Sequence, residues 1–284
     1  MQRGISSQAY GLFCGCFPEA YVSEREFRER LGFDRNTVLA RFQGETLAGF
    51  SIVLEHAVLL LCVAPEWRGK GIGSGLLSES ERVIREAGYD RIVLGAGPVY
   101  LFQGVPSCGD EPAFFVRRGY QASWKSVDLA VPLKDWRNPR PPCPAGITFG
   151  RLEDGEQAEL LAAVGRVKPE WRRFYQQDEE ILVARKDGKI LGFCLLGDTG
   201  APFAAHAGTL GCVGVVPEAR KQGIGLALAA AAIEERKSRG YENCYVGYTY
   251  LEDWYGRLGC RPVMRFWMGE KRIASGGEVA GQCG

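Results

Sequence analysis

One internal repeat constrains this chain more than any other feature. Shifted by 152 residues, Val63-Ala-Pro-Glu-Trp-Arg-Gly-Lys-Gly-Ile-Gly-Ser-Gly75 falls on Val215-Val-Pro-Glu-Ala-Arg-Lys-Gln-Gly-Ile-Gly-Leu-Ala227, and seven of the thirteen positions are identical. The register continues without a gap, with Gly88-Tyr89 on Gly240-Tyr241 and Gly95 on Gly247. Repeats of about 20–50 residues build solenoids, so one this long implies two duplicated domains. The 284 residues fit two domains of about 100–200 residues each, and either half is long enough to bury its own core. Between the copies, residues 131–145 read VPLKDWRNPRPPCPA, with five prolines. Proline removes backbone donors and interrupts helices and central strands, so this stretch reads as a semi-rigid linker. The expected division is a first domain at 1–130, the linker at 131–145, a second domain at 146–270 and a flexible tail at 271–284.

Each copy has the same alternation of elements. In the first, 46–55 and 57–63 read as strands around a turn at Glu55-His56, 71–87 as a helix and 91–94 as a short buried strand. The helix follows from apolar residues at roughly helical spacing, Ile72, Leu76, Leu77, Val83, Ile84 and Ala87. In the second, strands are expected at 181–185, 190–196, 209–216 and 242–247. The stretch 224–238 is rich in alanine, a strong helix former. Strands followed by a strand–helix–strand crossover imply a mixed sheet with helices packed on it, an α/β arrangement.

The repeated segment is chemically an anion site. A strand ends in Val-X-Pro-Glu, Arg-X-X-Gly-X-Gly follows, and then a helix begins. The first N–H groups of a helix have no partner within it, and the helix dipole is positive there. Gly71 and Gly73, or Gly223 and Gly225, let a ligand approach the backbone closely. Arg68 and Lys70, or Arg220 and Lys221, add positive charge, and a diphosphate fits such a site. Gly-X-Gly alone is common; here it recurs twice in the same strand–helix context.

At these residues the sequence resembles the GCN5-related N-acetyltransferase superfamily. CVAPEWRGKGIG and VGVVPEARKQGIG are similar to its pyrophosphate-binding motif. Ala113-Phe-Phe-Val-Arg-Arg-Gly-Tyr120 and Trp254-Tyr-Gly-Arg-Leu-Gly-Cys260 resemble its later aromatic-X-X-X-Gly motif. The resemblance implies two tandem acyl-CoA N-acyltransferase domains that use acetyl-CoA as co-substrate and an amine, small or peptide, as acceptor. It implies coenzyme contacts at Val63, Arg68, Gly69, Lys70, Gly71, Ile72 and Gly73, and at Val215, Arg220, Lys221, Gln222, Gly223, Ile224 and Gly225. It also implies a V-shaped opening between two central strands for the pantetheine arm, where a backbone N–H polarises the thioester carbonyl.

The copies are not equivalent. The motif's aromatic, four residues before glycine, is often a tyrosine that protonates the departing thiolate. The second copy has Tyr255 there, and a phenol can serve as a general acid. The first copy has Phe115, which has no proton to give. The first copy also carries twelve extra residues within 97–112, readable as a pocket wall, a contact surface or ordinary loop variation. Candidate bases are Glu55, which is replaced by Ala207 at the 152 offset, and His206. Trp171, Tyr248, Tyr250, Trp254 and Trp267 read as core packing or as a substrate pocket. Three functions stay open: acetyl transfer in the second copy, acetyl transfer in the first, and acyl-CoA binding without turnover.

Bulk properties narrow the partners. A net charge of +1 provides no global field for nucleic acid or anionic membrane. No apolar run of about 18 residues suggests a membrane span. The first seventeen residues lack the basic and apolar regions of a signal peptide, so a cytoplasmic location with mostly reduced cysteines is expected. Cys14-Gly-Cys16 has no matching second pair and only two histidines exist, so no metal is expected.

Overall fold

The strand–helix–strand pattern of each repeat is present as expected. The computed structural model describes residues 2–96, 101–107, 112–176, 180–198 and 200–273. The first part of the chain forms α1 (Gln2–Cys16), α2 (Glu24–Leu31), β1 (Thr37–Gln43), β2 (Thr46–Leu54), β3 (Ala57–Val63), α3 (Ile72–Glu86), β4 (Arg91–Leu94), β5 (Val105–Ser107), α4 (Ala113–Val116) and β6 (Gln121–Pro132). The second forms β7 (Thr148–Arg151), α5 (Gln157–Val167), β8 (Glu180–Lys186), β9 (Lys189–Gly197), β10 (Ala207–Val215), α6 (Ile224–Ser238), β11 (Asn243–Thr249), α7 (Glu252–Gly256) and β12 (Arg261–Arg272).

The chain divides into two compact units, one of residues 1–126 and 264–284, the other of residues 127–263. In the first, β1, β2 and β3 pair antiparallel, β3 meets β4 in parallel, and β4 pairs antiparallel with β12 at Glu270 to Arg272. In the second, β7, β8, β9 and β10 pair antiparallel, β10 meets β11 in parallel, and β11 pairs antiparallel with residues 127–132 of β6. By the repeat, β6 should border β4 and β12 should border β11. Each copy instead completes its sheet with the last strand of the other. The segment expected to end the second domain therefore lies in the first unit, and Trp267, expected among the second-half aromatics, is buried in the first unit's core. The expected tail also starts too early. Lys271 and Arg272 belong to β12, Lys271 Nζ pairs with Glu81 at 2.9 Å, and the Ile273 N–H donates to the Asp90 carbonyl at 2.8 Å. The rest of that tail, from residue 274, is outside the described residues.

Local chemistry fixes the helices. Ser23 and Glu26 cap α2 reciprocally, hydroxyl to backbone N–H and carboxylate to backbone N–H, both at 3.2 Å. Leu76, Leu77, Ser80 and Ile84 form the buried stripe of α3. Helix α6 is buried on most faces, which suits its run of alanines. Its core partners include Leu160, Val183, Phe193 and Val246.

Two carboxylates of the second unit are held by arginines. Glu156 accepts from Arg185 Nε at 2.7 Å, and this ion pair holds its carboxyl down to about 2. At Glu180 burial pushes the carboxyl up, but bonds from Arg236 (2.9 Å), Arg151 (3.2 Å) and Arg239 outweigh it and hold it down to about 2. A depressed carboxyl stabilises the fold above its unfolded value of about 4.3, and that stability disappears as pH falls toward the folded value. The second unit is expected to lose stability between about pH 4.5 and 2. Denaturant titrations over that range, on wild type and on Glu156→Gln with Glu180→Gln, check this. The double variant should be weaker at pH 7 and should converge on wild type in acid; parallel pH profiles would refute the assignment.

Candidate active site

Both copies build the same loop. After β3 the chain makes one 3-10 turn, Pro65–Trp67, and enters α3; after β10 it makes Pro217–Ala219 and enters α6. The helix N-caps, Gly71 and Gly223, share φ 85° and ψ −11°. A side chain is strained at that φ, which accounts for glycine in both copies. Two residues earlier the copies differ, with Gly69 at φ 74° and Lys221 at φ 60°. That left-handed geometry costs a residue with a Cβ about 1–2 kcal/mol.

Neither helix has a side-chain cap on its first N–H groups, which lie at the positive end of the helix dipole and attract negative charge. The arginines tie the loops down. Arg68 Nε donates to the Val63 carbonyl and Arg220 Nε to the Val215 carbonyl, each at 3.0 Å. Lys70 stacks 4.3 Å from the Trp67 ring, and Gln222 Nε2 donates to the Glu218 carbonyl at 3.2 Å. Ile72 is half-buried and Ile224 buried, so their side chains anchor the starts of the two helices. Gly73 and Gly225 sit where the helix crosses the strand. A Cβ would meet Val63 at 3.4 Å in one and Val215 at 3.2 Å in the other.

Among the described residues, each central strand is paired on one side over only part of its length. β3 pairs in parallel with β4 only at Ala57 and Val58, and β10 with β11 only at Ala207, Gly208 and Thr209. Both strands bulge soon after, at Leu59 and at Cys212, as the shifts against their antiparallel neighbours record. A bulge bends its strand and ends regular pairing. The strand pair therefore diverges in each copy, as the resemblance implies. At the α6 N-terminus a cavity of about 410 Å³ is lined by Val215, Gly223, Trp254, Arg257, Pro141 and Pro142, among others. The two prolines and Arg257 were not among the sequence-derived site residues.

Tyr255 lies on α7 at 4% exposure, with its ring edge-on to Trp254 at 4.6 Å between centroids. Its hydroxyl makes no hydrogen bond among the described residues. Burial, with lesser pushes from the Cys194, Cys260, Cys212 and Cys244 thiols, raises its phenol well above the usual range. Near neutral pH it is a protonated donor. Its counterpart is Phe115, because Phe114 faces Gly73 as Trp254 faces Gly225, at 3.4 and 3.5 Å from a Cβ there. The nearby Tyr120 does not replace it, since its hydroxyl donates to Glu81 at 3.0 Å within the core.

Glu55 and His206 are exposed turn residues just before β3 and β10. The loops leave from the other ends of those strands, so neither residue is brought beside the anion site. Cys16 is brought there, although the sequence marked it only as half of an unmatched pair. Its thiol lies 3.6 Å from the Val63 carbonyl and accepts from Arg68 Nη2 at 3.5 Å. A hydrogen bond from Cys62, then the Arg68 charge, lowers its titration below the usual thiol range. Within the inserted segment, Phe102 packs against Phe13 and Phe17, and β5 pairs with β12. Residues 97–100 and 108–111 of the segment lie outside the described residues. Tyr248 and Tyr250 are 44% and 76% exposed, while Trp171 is half-buried under Lys168. Among the described residues no group of three or more His, Cys, Asp or Glu is gathered, and no helix is long and apolar enough to cross a membrane.

Comparison with known proteins bears on this site directly. The profile of the acetyltransferase (GNAT) family matches residues 7–100 and again residues 151–260. The chain belongs to the GNAT acetyltransferase family. Three solved structures show how far the likeness extends. A GCN5-related glucosamine N-acetyltransferase region of a fungal multi-domain GH3 beta-N-acetylglucosaminidase is 26% identical, with TM-score 0.79; the match covers 95% of this chain and 37% of that one. The chain thus spans little more than a third of that protein. A GCN5-related N-acetyltransferase from Sphaerobacter thermophilus is 20% identical at TM-score 0.69, covering 96% and 94% of the two chains. A tandem GNAT protein from the clavulanic acid biosynthesis pathway is 15% identical at TM-score 0.68, covering 96% and 95%. The last two share the fold alone at that identity. No curated protein matches the chain. Two GNAT repeats on mixed α/β sheets are therefore the architecture of this acyltransferase.

Proposed function

We propose that this GNAT protein transfers the acetyl group of acetyl-CoA to the amino group of a hexosamine, with the chemistry in its second copy. The observation that carries this reading is Tyr255, a residue 4% exposed whose hydroxyl makes no hydrogen bond among the described residues and stays protonated, while the first copy holds Phe115 at the same place. Lys221, Gly223 and the first amides of α6 would hold the diphosphate, and the open edge of β10 would pair with the pantetheine arm. The acceptor amine attacks the thioester carbonyl, the C–N bond forms, and a tetrahedral oxyanion results. A backbone N–H on that open edge stabilises it. As the C–S bond breaks, Tyr255 gives its proton to the sulfur, the new nitrogen loses its extra proton to water, and solvent returns a proton to the phenolate. Holding both reactants in one cleft makes the encounter effectively unimolecular.

The hexosamine acceptor is suggested by the glucosamine N-acetyltransferase region matched at 26% identity. The exposed rings of Tyr248 and Tyr250 offer flat apolar faces of the kind that receive a sugar ring. The test is thiol release from acetyl-CoA with glucosamine, N-acetylglucosamine, a polyamine and a lysine peptide. Glucosamine should support release well above the hydrolysis background, and N-acetylglucosamine, whose amine is blocked, should not. Equal release with all four would remove the acceptor, and none with any amine would remove the enzyme. For the first copy, Phe115 favours coenzyme binding without turnover.

A further inference from the structure

The proline-rich segment after β6 follows α6 from its C-terminal end to its N-terminus. At the C-terminal end Lys237 Nζ donates to the carbonyls of Trp136 at 2.6 Å and Lys134 at 3.2 Å. The Trp136 indole N–H donates to the Leu258 carbonyl at 2.8 Å. One turn further along, Asn138 Nδ2 donates to Glu234 at 2.7 Å, and Asn138 Oδ1 accepts the Arg140 N–H at 2.8 Å. The segment then arrives at the loop itself. The Pro142 carbonyl oxygen sits so close to Gly223 that a Cβ placed there would lie 1.9 Å from it. The first copy has nothing comparable, because a Cβ on Gly71 would meet no atom within 4 Å among the described residues.

The chemistry of that contact is specific. The α6 N-terminus presents uncapped N–H groups and a positive dipole end, which attract negative charge. A carbonyl oxygen carries partial negative charge and occupies part of that field. Pro139, Pro141, Pro142 and Pro144 have no backbone N–H, so at these positions the segment offers acceptors to the helix and no donors to an incoming phosphate. A phosphate oxygen and the Pro142 carbonyl cannot share the space over Gly223. We propose that residues 138–144 form a strap that closes the coenzyme site of the second copy, and that the diphosphate enters by displacing the Pro142 carbonyl. The open first loop carries no such obstacle, so the two sites differ in apparent affinity. A strap shut in nine molecules of ten weakens apparent binding about tenfold. This inference rests on the anion site assigned to the α6 N-terminus above.

The test isolates the second site with Gly71→Val and Gly73→Val, which spoil the first loop. Coenzyme A and inorganic diphosphate are then titrated by calorimetry, before and after residues 138–144 are replaced by a glycine–serine chain of equal length. Both should bind about tenfold more tightly, or better, to the replaced chain. Asn138→Ala, which only loosens the segment, should move affinity the same way by less. Equal affinities overturn the strap, and so does a folded replacement that binds neither probe. A gain for diphosphate with no coenzyme A binding in any version keeps the strap and removes the coenzyme reading. Cys143 gives a second readout in the unaltered protein, because it lies within the strap. Its alkylation, followed by peptide mass, should quicken when diphosphate or coenzyme A saturates the protein; an unchanged or slower rate with both overturns the proposal.

Discussion

Tyr255→Phe is expected to lower turnover about 10²–10⁴-fold, the usual contribution of a positioned acid. The substitution keeps the ring, its edge contact with Trp254 and its place in the core, and it removes one oxygen. That oxygen has no hydrogen-bond partner among the described residues, so stability should scarcely change. This separates the two roles an aromatic can have at this position. A packing residue loses stability when disturbed and keeps its rate, whereas a proton donor keeps stability and loses rate. Coenzyme affinity should also hold, because the loop from Arg220 to Gly225 is untouched. The pH profile is the finer readout. Burial and the surrounding thiols raise the phenol, so it remains protonated as pH rises, and no alkaline loss of rate from its ionisation should appear below the ordinary tyrosine range near 10. Steady-state kinetics with the working acceptor, alongside denaturant melts, measure all of this. Turnover within a few-fold of wild type would move the chemistry to the first copy or leave protonation to water. Phe115→Tyr alone should not confer activity on the first copy, because the flanking residues have diverged as well.

What could be read from the sequence was local and repeated. The loops from Val63 to Gly73 and from Val215 to Gly225 follow from the glycines, the proline in the preceding turn and the start of a helix-forming run, all within about a dozen residues. The helix expected at 71–87 spans Ile72–Glu86, and the one expected at 224–238 has those limits. The exchange of last strands was not readable. β6 and β12 have similar patterns of burial, exposed at the start and buried near the end, and nothing in such a pattern names the partner strand. The strap was hidden for a related reason. Five prolines indicate a stiff connection, but where its carbonyls point depends on Trp136, Asn138 and Lys237 meeting residues about 100 positions away. Cys16 likewise gains its setting from Arg68 and Val63, which only the fold brings near. Tyr255 lies between these cases. A motif marked it, yet its burial and its unpartnered hydroxyl come from the tertiary structure.

Arg236→Ala is expected to destabilise the second unit by about 2–5 kcal/mol, mainly through the void left when a large buried side chain is truncated. Arg236 lies near the C-terminal end of α6, where a cation also suits the helix dipole. Its side chain is 1% exposed, and Nη2 donates to Glu180 at 2.9 Å. Nη1 donates to the Gly197 carbonyl at 3.3 Å, and the guanidinium lies 5.4 Å from the Tyr241 ring centroid. The stem lies flat against β10, where a Cβ on Gly208 would fall 2.5 Å from Arg236 Cδ. Truncation to alanine therefore opens a void beside Gly208 and leaves the Gly197 carbonyl without that donor. Two features separate packing from charge. The Nε atom is buried and has no partner among the described residues, so the guanidinium is incompletely satisfied by them where it lies. Glu180, meanwhile, keeps Arg151 and Arg239 when Arg236 is lost. A methionine fills much of the void without carrying an unsatisfied donor, and apolar replacement of buried ion pairs is often tolerated. Arg236→Met should thus recover at least half of the loss seen for alanine. Urea denaturation followed through the second unit's tryptophans decides it. An alanine variant within 1 kcal/mol of wild type would show that the pair contributes little, and a methionine variant as weak as alanine would show that charge outweighs packing at this site.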